Sequence, residues 1–192
     1  MKKPLISDEF DWYDEYFGRD YKLEQQMHHI RQNFESTDKW LYLGADSLDS
    51  SFAKIGITMG DLRSRSYSSA RPSYFLFCAF KFDIFITPQK MKKVEDEILS
   101  KFDQIFVDDE ERSKRMVHFE SGKISECYSN INFFDFYKVL HAEIYNEHRN
   151  SFVISGYEDE LGNDEGEFVE CIFNSRLPNP HRSYIDMILQ QS

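Results

Sequence analysis

The segment PSYFLFCAFKFDIFI (residues 72–86) constrains the fold of this chain more than any other stretch. It is rich in aromatic residues and nearly continuous in apolar character, which is typical of a strand buried on both faces. Two shorter apolar runs precede it, KWLYLGADS (39–47) and SFAKIGIT (51–58), and the few residues between them indicate a hairpin. The sequence therefore predicts a sheet with at least these three strands.

Helical spacing of apolar residues occurs in three longer segments. The first runs from Tyr21 to Phe34, the second follows the Thr87-Pro88 pair, and the third is FFDFYKVLHAEIYNEH. Threonine followed by proline is a typical helix start, because the threonine caps the helix and proline fits its first turn. The apolar positions of the second helix are Met91, Val94, Ile98, Phe102 and Ile105. A short helix over 61–69 can be capped by Thr58 or Asp61.

The C-terminal third differs in character from the rest of the chain. KISECYSNINFF is predicted as a short strand or turn, and the acidic segment GYEDELGNDEGE as a loop or hairpin joining SFVISGY and EFVECIF. The final SYIDMILQQ is predicted as a short helix. The fold class is thus α/β (α+β): a small, central, three-stranded, mainly antiparallel sheet flanked by helices, with an N-terminal helix and an acidic C-terminal extension.

Composition limits the cellular setting. The longest apolar runs fall short of the roughly 18 residues that a membrane span needs, and MKKPLISDEF lacks the apolar centre of a signal peptide. The three cysteines Cys78, Cys127 and Cys171 are far apart and form no CxxC pair, which indicates reduced thiols. We therefore expect a cytoplasmic protein with no membrane partner.

Charge is distributed unevenly along the chain, whose net charge is −11. Residues 39–106 hold 10 basic and 8 acidic residues, giving +2, whereas residues 107–192 hold 8 basic and 17 acidic residues, giving −9. The non-acidic part contains AKIGITMGDLRSR (53–65), in which a lysine and two arginines lie close to a glycine-containing strand end. This stretch is either a solvated turn or a place where cations and backbone approach a phosphate.

The order of these segments resembles the GIY-YIG nuclease superfamily, in particular its T5orf172 or meiotically-upregulated-gene-113 branch, over roughly residues 40–130. The matching motifs are Lys54-Ile55-Gly56-Ile57-Thr58 with Arg63 five residues on, the proline-containing link SSARPSYFLFCAFKF, the helix pattern of Glu95, Ile98, Leu99 and Phe102, and a degenerate SGKISECYS. The resemblance implies a GIY-YIG-like domain over 39–130. An acidic-aromatic arm plus helix (1–38) would precede it, and a helix with an acidic extension (131–192) would follow.

The resemblance further implies a metal-dependent endonuclease that hydrolyses phosphodiester bonds in DNA. Tyr42 matches the family's first tyrosine, which would position or deprotonate the attacking water. Lys54 replaces the second tyrosine and could supply the cation that Tyr42 needs to act as a base. Arg63 would stabilise charge on the phosphate, and Glu95 would hold a single Mg²⁺ or Mn²⁺.

Gly56, Thr58 and Arg65 are implied as substrate-binding residues. Family spacing favours Arg63 over Arg65 as the phosphate ligand, although the sequence alone does not say which of the two faces a phosphate. The sequence departs from the family in its first motif, where WLY replaces the Gly-Ile pair, and no separate DNA-reading module accompanies the domain.

Two other interpretations use the same residues. One is a GIY-YIG-fold protein that binds nucleic acid or regulates without catalysis, and the other is a protein-interaction module whose acidic surface binds a basic partner or mimics DNA. Each site residue could also have a purely structural role. Tyr42 would then be a half-buried strand tyrosine, Lys54 an edge lysine and Glu95 a surface glutamate, and Arg63 and Arg65 would belong to a solvated helix face. Geometry discriminates among these, because a nuclease requires Tyr42, Lys54, Arg63 and Glu95 to line one concave face.

Overall fold

The computed structural model describes residues 38–66, 71–159 and 161–189, together with Leu23 and residues 25–29 and 31–33. Backbone contacts divide the chain into two units, Met1–Ser36 and Thr37–Ser192. In the first unit the described residues are helical, as their apolar spacing predicts. The acidic-aromatic arm that precedes them lies outside the described residues.

The second unit is built on a six-stranded antiparallel sheet and a separate two-stranded hairpin. In chain order the strands are β1 (Trp40–Asp46), β2 (Ala53–Thr58), β3 (Tyr74–Lys81), β4 (Arg115–Val117), β5 (Ile124–Tyr128), β6 (Ile154–Glu158), β7 (Asp164–Val169) and β8 (Cys171–Phe173). The large sheet has the order β4-β5-β2-β1-β3-β8, and β6 pairs with β7 alone. The predicted hairpin of β1 and β2 therefore lies at its centre.

The prediction of a three-stranded sheet is wrong, because short strands extend the sheet at both edges. β5 pairs with β2 only through Ala53 and Lys54, and β8 pairs with β3 over three residues. Strands this short carry too few residues for a period-two pattern, and their partners are distant in sequence. β3 is also shorter than predicted: it ends at Lys81, and the chain turns before the next helix.

The described residues of the second unit contain three α-helices, in segments where the sequence predicts helices. They are α1 (Pro88–Ile105), α2 (Phe133–Glu147) and α3 (His181–Asp186). The side chain of Thr87 caps α1 by accepting a hydrogen bond from the backbone N–H of Lys90 at 3.2 Å, which confirms the predicted start. The short helix predicted over 61–69 is a 3₁₀ turn, Leu62–Arg65, capped by Asp61.

The two faces of the large sheet are buried differently. One face packs against the helices, with Leu41, Leu43 and Ile55 in a core shared with apolar residues of α1 and α2. The opposite face carries a small separate cluster of Trp40, Tyr42, Leu76 and Ala79, against which Leu62 packs. Because side chains alternate along a strand, Leu41 and Tyr42 face opposite ways, and Tyr42 lies on the face away from the main core.

No helix within the described residues has the length and apolar character needed to cross a bilayer.

Candidate functional site

A cavity of about 550 Å³ opens beside Tyr42, between the sheet, the 3₁₀ turn and the β4–β5 hairpin. Lys54, Arg65 and Arg71 line it, and none of the described residues that line it is acidic. In a chain with a net charge of −11, such a concentration of cations favours an anionic ligand. The other lining residues are Tyr42, Phe52, Ser64, Tyr74, Met116, Val117, His118, Ser125 and Cys127.

Two tyrosines of the cavity lie over two glycines of the sheet. Tyr42 is paired with Gly56 across β1 and β2, and a β-carbon on Gly56 would lie 2.4 Å from the Tyr42 hydroxyl oxygen. Tyr74 covers Gly44 in the same way, again with 2.4 Å between the hydroxyl oxygen and the position of a β-carbon. Any larger residue at these glycines would displace a ring, so both glycines are required for the shape of the cavity.

The charge state of Tyr42 follows from its surroundings. Its pKa is raised to about 12, mainly by burial and then by the negative charge of Glu126, with a smaller contribution from Glu95, while Arg65 acts in the opposite direction. The hydroxyl therefore keeps its proton at neutral pH. In this state it can orient a water molecule or a phosphate oxygen by hydrogen bonding, but it is a poor general base.

Lys54 and Thr58, both on β2, lie in different environments. The Lys54 ammonium lines the cavity, and its Nζ lies 3.9 Å from Oε2 of Glu126. Thr58 is buried and pairs with Trp40; its hydroxyl accepts a hydrogen bond of 3.4 Å from the backbone N–H of Gly60. Of these two predicted residues, only Lys54 therefore reaches the cavity.

The two arginines of the 3₁₀ turn point in different directions. Arg65 lines the cavity, and its charge offsets part of the rise that burial causes in the pKa of both Tyr42 and Tyr74. The side chain of Arg63 is 93% exposed, lies outside the cavity lining and faces Asp61, with 3.8 Å between Nε and Oδ2. Of the two arginines, Arg65 is thus the one placed to meet an anion in the cavity, and Arg63, which the sequence resemblance favours, is not.

Of the four residues that the nuclease interpretation places on one concave face, Tyr42 and Lys54 line the cavity, whereas Arg63 and Glu95 lie outside its described lining. Glu95 is still near enough to Tyr42 for its charge to contribute to the raised pKa of that residue. It is 2% exposed on α1, and its Oε2 accepts a hydrogen bond of 2.8 Å from Nζ of Lys92. Burial raises the pKa of the Glu95 carboxyl; Lys92 lowers it, the charge of Glu126 adds to the rise, and the net shift is upward. Two carboxylates whose charges repel each other are therefore present beside Tyr42.

A divalent cation fits this arrangement only with few protein ligands. Among the described residues, no three His, Cys, Asp or Glu side chains form a metal-binding group. Mg²⁺ commonly takes one or two carboxylates and completes its shell with water and phosphate oxygens. Glu95 offers one carboxylate of this kind, and its Oε2 already accepts a hydrogen bond from Lys92.

Arg71 and Tyr74 were not predicted as site residues from the sequence. The guanidinium of Arg71 lies 3.7 Å from the centre of the Phe52 ring, donates to Asp46, and donates to Asp49 at 3.0 Å. Arg71 therefore fixes the wall of the cavity, and its charge is offset by these two carboxylates. The sequence signal for these two rings is a glycine on the adjacent strand: Gly56 is paired with Tyr42, and Gly44 is two residues from Asp46, the partner of Tyr74. This signal can be read only once the strand register is known.

The chain matches no family model, no curated protein and no solved structure.

Proposed function

We propose that this protein is a metal-dependent endonuclease that hydrolyses phosphodiester bonds of DNA at the Tyr42 cavity. The observation that carries this proposal is the cavity lining itself, in which Lys54, Arg65 and Arg71 surround a protonated tyrosine without an acidic residue among the described lining. A phosphodiester is the anion that this combination of cations and a hydroxyl donor suits. The resemblance of the motifs to the GIY-YIG superfamily supports the same reaction.

In the proposed reaction, water adds to the phosphorus atom and the bond from phosphorus to the leaving oxygen breaks. Arg65 holds the non-bridging oxygens and stabilises the charge that develops on them, because its planar fork matches a phosphate. Tyr42 orients the attacking water through its protonated hydroxyl. Glu126 lies outside the described cavity lining, with its Oε2 3.9 Å from Nζ of Lys54, and accepts the proton that the water loses. The Lys54 ammonium donates a proton to the leaving oxygen.

A divalent cation, when bound by Glu95, would polarise the phosphate and neutralise part of its charge. The role of Glu95 is then to hold the cation beside the phosphate. Lys92 limits this role, because its ammonium already takes one oxygen of that carboxylate.

A second candidate is a protein that binds DNA through the same cavity without cleaving it. The observation that favours it is the position of Glu95, which is buried, paired with Lys92 and absent from the cavity lining. Binding needs only the cations of the cavity, whereas hydrolysis also needs the cation site.

Nicking of supercoiled plasmid in the presence of Mg²⁺ or Mn²⁺ tests the proposal. Arg65→Ala is expected to reduce the nicking rate by about a hundredfold or more, the usual effect of removing one donor to a developing oxyanion. Arg63→Ala is the matched control: it removes the same side chain from the same turn, outside the cavity, and is expected to leave the rate unchanged. Glu95→Gln is expected to abolish nicking while plasmid binding persists.

Each outcome separates the candidates. If the wild-type protein binds plasmid but never nicks it, the binding protein replaces the nuclease. If Arg63→Ala abolishes nicking and Arg65→Ala does not, Arg63 and not Arg65 is the phosphate ligand.

A further inference from the structure

The β4–β5 hairpin presents a cluster of apolar side chains to solvent. Phe119, in its turn, is 98% exposed, and Met116, Val117 and Ile124 are 38%, 56% and 62% exposed. Val117 and Ile124 are direct cross-strand partners, so their side chains are neighbours. Single exposed apolar residues are common on protein surfaces, but four on one hairpin, two of them direct cross-strand partners, mark an interaction surface.

The turn that carries Phe119 is held in place by its own hydrogen bonds. The backbone N–H of His118 donates to the carbonyl of Lys123, and the N–H of Gly122 donates to the carbonyl of His118, each at 2.8 Å. Gly122 adopts a φ of +63°, which the turn requires and glycine tolerates. The aromatic side chain is thus displayed from a closed turn.

The base of the hairpin is fixed to α1. Arg115 pairs with Asp103 of α1, with 3.0 Å between Nη1 and Oδ2, and it also donates to the backbone carbonyl of Ser125. The hydroxyl of Tyr128 donates to the carbonyl of Leu99 at 3.2 Å. A rigid base means that a ligand in contact with the tip is held at a defined distance from the sheet.

The same hairpin forms part of the cationic cavity. Met116, Val117 and His118 line it together with Lys54 and Arg65. The tip, residues 114–124, contains one acidic residue and three basic residues, of which Arg115 is paired with Asp103, although residues 107–192 as a whole have a charge of −9. An apolar, basic tip beside a cationic cavity complements a polymer that carries phosphates on its backbone and flat aromatic bases between them.

We propose that the β4–β5 hairpin binds duplex DNA beside the Tyr42 cavity and that Phe119 inserts between stacked bases. This inference rests on the proposed function, because it concerns how the substrate of that same cavity is held. Lys114 and Lys123 contact the phosphates that flank the insertion. Unstacking one base step bends the duplex, and the bend presents its backbone to Arg65.

Binding of a fluorescein-labelled DNA duplex in EDTA tests the inference independently of cleavage. Phe119→Ala is expected to weaken binding about tenfold, within the range for loss of one base–aromatic contact. Phe119→Trp keeps an aromatic ring and is expected to bind as the wild type does. Phe85→Ala is the matched control, because Phe85 is 67% exposed and lies outside the hairpin and the cavity lining.

A duplex with 2-aminopurine in place of adenine reports insertion directly, since its fluorescence rises when the base is unstacked. Wild type and Phe119→Trp are expected to produce this rise, and Phe119→Ala to lose it.

The results distinguish a failure of the inference about the hairpin from a failure of the proposed function. If Phe119→Ala binds and unstacks the duplex as the wild type does, the inference falls, while nicking that depends on Arg65 would still uphold the proposed function. If the wild type nicks plasmid but leaves 2-aminopurine stacked, insertion is likewise refuted. If Phe119→Ala abolishes self-association in sedimentation without changing duplex binding, the hairpin is an interface between copies of this chain and the inference is overturned.

Discussion

Acidification is expected to destabilise this protein through His141, which lies on α2 with none of its surface exposed. Its Nε2 accepts a hydrogen bond of 2.9 Å from the backbone N–H of Val169, so the proton of the neutral ring is on Nδ1, which has no hydrogen-bond partner. A second proton would have to go on Nε2. It would break the bond from Val169 and place a charge beside the rings of Phe80 and Tyr145.

The magnitude follows from the pKa of this histidine. Burial lowers the pKa of His141 from 6.5 to about 4. Because the folded value is the lower one, the unfolded chain binds the proton first, and stability falls as the pH drops from 6.5 toward about 4. The full loss is about 3 kcal/mol, and about 2 kcal/mol of it is expected between pH 7 and pH 5.

Urea unfolding at a series of pH values measures this loss, with His141→Gln as the variant. Glutamine does not titrate and can still accept a hydrogen bond from Val169. The free energy of unfolding of this variant is therefore expected to fall less than that of the wild type between pH 7 and pH 5, by about 2 kcal/mol. Glu95, whose raised pKa favours the folded state in acid, is present in both proteins, so its effect cancels in the difference.

His118→Gln removes an exposed histidine and is the matched control; it is expected to follow the wild-type curve. If His141→Gln loses as much stability in acid as the wild type does, the account of His141 as a neutral, buried ring is wrong.

Two further substitutions test the cavity. Gly56→Ala is expected to abolish plasmid nicking while the protein remains folded by circular dichroism, because a β-carbon 2.4 Å from the Tyr42 hydroxyl would displace that ring; full activity would contradict the packing of the two side chains. Arg71→Ala is expected to lower the free energy of unfolding by about 2 kcal/mol, since it leaves the buried carboxylate of Asp46 unpaired. Arg112→Ala removes an arginine that also pairs with two acids but is 67% exposed, and it is expected to cost less than about 1 kcal/mol; equal effects in urea unfolding would refute a special role for Asp46.

Local signals in the sequence were sufficient for the longer elements. Thr87 and Pro88 define the start of α1, and its predicted apolar positions identify the buried side of that helix except for the last, Ile105, which is 42% exposed. Capping and helical spacing act within a few residues of one another. The same holds for β3, whose apolar run places it inside the sheet. The segment of β5 was predicted only as a short strand or turn, and the edge strand β8 was not predicted as part of the large sheet, since each is stabilised by a partner far away in the chain.

The sequence by itself determined the mixed α/β composition, the central hairpin and the presence of cations near a glycine-containing strand. Only the tertiary structure decided which basic side chains lie together at the cavity. Asp61 caps the 3₁₀ turn so that Arg65 lines the cavity and Arg63 does not, and the register of β1 with β2 and β3 places Tyr42 over Gly56. The side chains of residues two apart in a turn point in different directions because of the backbone geometry, and contacts between strands depend on their register. Neither the side-chain direction nor the cross-strand contact can be read from the local spacing of residues.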